Sequence, residues 1–115
     1  MSGTTKEYNN LITCFQDIID TKNIDVIIDW INVMGDKLIT TISIKQLGKY
    51  KYPLLLDIIK LIIKTNDIIF EPIVTHIFNN KSYRDVLITR FLNSLFYASE
   101  NTKLLIIVLK RIQIY

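Results

Sequence analysis

Cysteine is nearly absent from this 115-residue chain: Cys14 stands alone. An internal disulfide is excluded, so the fold does not depend on an oxidising compartment. Histidine is also single, at His76. A structural or catalytic metal site needs three or four ligands at set spacings, and the sequence offers no such cluster. Proline occurs twice and glycine three times, which argues against long turn-rich stretches. The glycines, Gly3, Gly35 and Gly48, are isolated, so there is no Gly-rich phosphate loop. A strong charge of one sign is lacking too. Fourteen basic residues against eleven acidic ones leave +3, well short of the clustered excess of a dedicated nucleic-acid binder. Residues 1–10, MSGTTKEYNN, carry no apolar signal core, and the expectation is an intracellular, cytoplasmic protein.

Isoleucine is abundant instead. There are 23, against a single alanine, Ala98. Ile, Lys and Asn have A/T-rich codons, so the bias fits an AT-rich genome, as in large DNA viruses, some protists and some bacteria. Half of the residues are hydrophobic. A chain of this length fits one domain, which buries roughly two-thirds of the surface its unfolded form exposes. The densest apolar stretch is Pro53 to Lys64, PLLLDIIKLIIK. As a helix it is apolar nearly all round, and such a helix is normally enclosed. It falls well short of the roughly 20 residues that span a bilayer. The pattern predicts an all-α fold: a compact bundle of six to seven short helices around a central apolar helix over 53–65. Residues 1–4 read as a polar tail and 5–115 as one helical domain.

Along the chain, Thr4 to Glu7 reads as a capping box opening a helix over about 5–21. Its apolar stripe is Tyr8, Leu11, Ile12, Phe15, Ile18 and Ile19. Asn23 caps the next helix, 24–34, which Gly35 ends. That helix carries two stripes. One is Ile24, Ile27, Ile28, Ile31 and Met34; the other is Val26, Trp30 and Val33. Either both are covered, or one is buried and one is offered to a partner. Residues 36–47 are β-branched in their middle, which favours an extended segment. A lone strand has no partner, so a third helix is expected there. Residues 49–52 read as a loop leading to Pro53 in the first turn of the central helix. Helices follow over 71–78, with Pro72 at the start, over 83–98 behind Ser82, and over 100–113 behind Ser99.

Candidate chemistry is sparse. Cys14 and His76 could act as a pair only in contact and with an orienting group, and a free cysteine beside an apolar stripe is usually a small buried hydrophobe. Asp17, Asp20, Asp25 and Asp29 could gather on adjoining helices, although helix surfaces commonly carry such charges. No cofactor is expected. The most suggestive cluster is Lys45, Lys49, Tyr50, Lys51 and Tyr52. Lysines contact phosphates and tyrosines stack on bases, but the same residues suit an acidic protein surface. Tyr50 and Tyr52 could also simply cover the end of the central helix. Trp30 is the single tryptophan, and tryptophan is enriched at interface hot spots.

Residues 39–59, with Ile39-Thr40, Leu47-Gly48 and an apolar helix after them, resemble the helical N-terminal domain of transcription elongation factor S-II proteins. The spacing from Ile-Thr to Gly differs, and residues 95–115 lack that family's late tryptophan. A central apolar helix in a small bundle is similar to viral Bcl-2-like proteins, whose Asn-Trp-Gly-Arg motif is absent here. Death-fold domains share only the helix count and length. No family is assigned on these segments.

The reading is a non-enzymatic module that binds another protein, as a small viral adaptor or host-modulating protein. A homodimer is expected through Trp30, Val33 and the outer face of Leu104 to Ile112. The alternative is an accessory nucleic-acid binder using Lys45 to Tyr52.

Overall fold

The computed structural model describes residues 2–44, 51–94 and 103–114, with side chains over 6–42, 53–90 and 103–112. The fold is all-α. Its described helices are α1 (Ser2–Asp20), α2 (Ile24–Met34), α3 (Lys37–Thr40), α4 (Leu54–Thr65), α5 (Glu71–Asn79), α6 (Lys81–Ser94) and α7 (Lys103–Ile114). A 3-10 turn, Ile68–Phe70, precedes α5. Between α3 and α4 lie two three-residue strands, β1 (Ile42–Ile44) and β2 (Lys51–Pro53). The contacts group the chain into two compact units, residues 1–58 and 59–115.

In the first unit α1 packs against α2 and β1, and α3 against α2 and β2. Tyr8, Phe15 and Ile19 are buried on α1, as its stripe predicts. The Tyr8 hydroxyl donates to the Asp57 carboxylate, tying α1 to the start of α4. The backbone of α1 is already helical at Ser2, so Thr4 lies inside the helix rather than capping it. Residues 36–44 correct the expectation of a third helix over 36–47, whose last three residues lie outside the described ones. After one turn of α3 the β-branched run goes extended, as its local preference dictates. Its partner is the segment read as a loop: Ile42 pairs with Pro53, Ser43 with Tyr52 and Ile44 with Lys51, antiparallel. Proline has no N–H to give, and it sits at the strand end, where the Leu54 N–H takes over by donating to the Thr41 carbonyl at 2.9 Å.

Helix α4 is the enclosed helix the sequence announces. Leu54, Leu55, Ile58, Ile59 and Ile62 are inaccessible, and Leu56 and Ile63 nearly so. In the second unit α5 packs against α6, α7 and the 3-10 turn. Its Ile73, Val74, Ile77 and Phe78 are fully buried. Pro72 lies in the first turn of α5, where its missing N–H costs nothing. Helix α6 starts earlier than expected. The Asn80 side chain, not Ser82, caps it by accepting from the Tyr83 N–H at 3.1 Å.

Two turns, 44 residues apart, are built alike. Thr21 and Thr65 each donate a hydroxyl bond to the carbonyl three residues back, at Ile18 (2.6 Å) and Ile62 (2.7 Å). Lys22 and Asn66 follow in the left-handed region, at φ 56° and 50°. Asn23 and Asp67 then cap the next element, accepting from the N–H of Val26 and of Ile69. Asn66 does one thing more. Its Oδ1 accepts from the N–H of Lys103, the first residue of α7, at 3.0 Å. A helix start leaves such N–H groups without partners, and a side-chain acceptor satisfies one. Asn66→Gly keeps the left-handed backbone but loses this hydrogen bond, and about 1 kcal/mol is the expected loss. Asn66→Ala adds left-handed strain of about 1 kcal/mol more. Urea denaturation of the two variants checks this. An alanine variant as stable as the glycine one would contradict the left-handed turn.

Candidate functional site

Helix α2 is defined at both ends by side-chain and backbone chemistry the sequence announces. Asn23 accepts from the Val26 N–H at 3.2 Å. Gly35, at φ 51°, lets its own N–H reach the Ile31 carbonyl at 3.0 Å. A side chain at position 35 would strain this left-handed conformation. Between these ends the two stripes separate. Ile27, Ile31 and Met34 are buried. On the other stripe Val26 is 43% exposed and Val33 84% exposed. A valine this open, on a helix that is already anchored, is not enclosed by any of the described residues.

Trp30 lies between those valines and is half-buried. Its ring leans on Phe15 of α1, with ring centroids 5.1 Å apart and planes tilted by 42°. The tryptophan is thus held in place from below while part of its surface stays open. Asp25 and Asp29 are exposed beside it. Helix α2 carries these two carboxylates and no cation. Asp17 and Asp20 add exposed carboxylates on α1. Asp25 and Asp29 give the apolar strip of α2 an acidic border.

The other residues singled out from the sequence fall differently. Leu104 is fully buried and Ile112 only 9% exposed, so neither offers a surface. Among the described side chains of α7 the open ones are Lys103, Lys110 and Ile106, the last 44% exposed. A six-residue apolar run has no periodicity to tell inside from outside, which is why Ile106 was not singled out. Lys45, Lys49 and Tyr50 lie outside the described residues. Lys51 and Tyr52 belong to β2 rather than to a loop. Cys14 is exposed, not the buried hydrophobe expected from its neighbours. His76 is half-buried on α5. Among the described residues no three His, Cys, Asp or Glu side chains gather where they could hold a metal ion. Among them, too, no helix is long and apolar enough to cross a membrane. Ile68 and Ile69, at the 3-10 turn, are a further exposed apolar pair.

Comparison with protein families, with curated proteins and with solved structures gives no match for this chain.

Proposed function

We propose that this chain is a non-enzymatic helical module that binds another protein through the outer face of α2. The carrying observation is Val33, 84% exposed on a helix that already buries Ile27, Ile31 and Met34. Val26 and the half-open Trp30 extend that apolar surface along the same face. Trp is over-represented among residues that dominate binding energy, and a ring backed by Phe15 loses little freedom on binding. The reading as a non-enzyme is supported by the sequence, in which Cys14 and His76 are each single and no catalytic motif occurs. The setting we propose is an adaptor or host-modulating role inside a cell, in keeping with one cysteine and an isoleucine-rich, AT-biased composition.

A photo-reactive residue at position 33, in the chain produced in cells, is the test. Position 33 is expected to yield protein adducts, and position 89, at the exposed Thr89 of α6, is not. Neither change should move the unfolding free energy by more than about 0.5 kcal/mol, as for surface substitutions generally. Equal adducts from both positions, or none from position 33, would sink the reading.

A further inference from the structure

We infer that the occupant of the α2 face is the outer face of α7 of a second copy of this chain; the inference rests on the reading of α2 as the contact face. The α7 surface is likewise an exposed, partly apolar face, with charge of the opposite sign. Lys103, Ile106, Ile107 and Lys110 recur at the three- and four-residue spacing that puts them on one side of a helix. Both lysines are exposed, Ile106 is 44% exposed and Ile107 is half-buried. Leu104, Leu105, Val108 and Ile112, on the other side, are buried. On α2 the corresponding set is Val26, Asp29, Trp30 and Val33, with Asp25 alongside.

The two patterns complete each other. Residues 24–34 hold two carboxylates and no cation, while residues 103–114 hold Lys103, Lys110, Arg111 and no carboxylate. Set antiparallel with Ile106 against Trp30, the α7 face brings Lys110 level with Asp25 and Asp29. Lys103 then comes level with Val33, at the other end of the face. Ile106 then meets Trp30 at the centre, and Lys110 meets opposite charge at one end of the face. Such complementarity selects a partner and speeds encounter more than it tightens binding. Because the two faces differ, the contact is head-to-tail: every copy has one of each, and association continues until a ring closes. Placing α2 on α2 would instead bring four carboxylates into one contact, with no cation from either helix.

Sedimentation velocity of the purified full chain tests this, from about 5 to about 200 µM, a range suited to a small, charge-assisted contact. The average mass is expected to rise with concentration at low salt. It should fall back toward the monomer near 0.5 M salt, where the screening length is only about 4 Å. Asp29→Lys and Lys110→Glu are each expected to be monomeric, with unchanged circular dichroism because both positions are exposed. Mixed in equal amounts they should associate again, since the new lysine faces the new glutamate. Three results overturn the proposal: a monomer throughout, association that survives either substitution, or a mixture that fails to recover. Association lost in Val33→Glu but kept in Lys110→Glu would assign the contact to α2 on α2 and also overturn it. A pure monomer whose position 33 still forms adducts with a foreign protein in cells would remove the second copy as occupant and leave α2 as the contact face.

Discussion

Replacing Ile59 by alanine is expected to remove about 2–5 kcal/mol of unfolding free energy. Ile59 has no accessible surface, and Leu55, Ile58 and Ile62 of the same helix have none either. Truncation deletes three carbons that are wholly out of water and leaves a hole that close-packed neighbours fill only in part. The lost transfer energy and the cavity add. A domain of this size is stable by about 5–15 kcal/mol, so one such change takes a large share of the total. Urea denaturation followed by circular dichroism measures it. Val33→Ala is the control, because an 84% exposed side chain should change stability by less than about 0.5 kcal/mol. A loss below about 1 kcal/mol in Ile59→Ala would mean that α4 is not core.

What could be read directly was local. Asn23 and Gly35 mark both ends of α2, because capping and left-handed termination are decided by the residues at those positions. The burial of α4 was legible because no helical face of PLLLDIIKLIIK is polar enough to meet water. The β1–β2 pair was not. Its first strand was signalled by β-branched residues, but its partner, Lys51 to Pro53, is lysine- and tyrosine-rich and reads as a solvent loop. Pairing depends on which segments meet, and strand preference is set by such neighbours. The start of α6 was missed because Asn80 and Ser82 are both good caps two residues apart, and only the fold shows which one is used. The matched turns had a signal that could have been found. Ile-Ile-x-Thr-x-Asn/Asp-Ile occurs at 18–24 and again at 62–68. On the site, the sequence showed two apolar stripes on α2. Which of them faces water could not be told, since both have helical spacing and similar residues.

Phe15→Ala is expected to cost about 3–5 kcal/mol and to loosen the face that we assign to binding. Phe15 is fully buried on α1, and its ring supports Trp30 from the inner side of α2. Truncation removes the largest buried side chain near that contact and the tilted ring pair with it. Such pairs contribute about 0.5–1.5 kcal/mol beyond the area they bury. Trp30 is the only tryptophan, so intrinsic fluorescence reports on this place alone. Its emission should shift to the red in the folded variant, because the indole gains water where Phe15 was. Phe15→Leu refills most of the volume without the aromatic partner. It should therefore lose less than half as much stability while still shifting the emission. Trp30 in Phe15→Ala is no longer held in a fixed orientation, so binding at α2 must order it at the expense of affinity. Adducts from position 33 should fall in parallel with the red shift, under conditions where circular dichroism shows the variant folded. Unchanged emission together with a loss under about 1 kcal/mol would mean that Trp30 is positioned by α2 alone, and the acidic border would then carry the recognition.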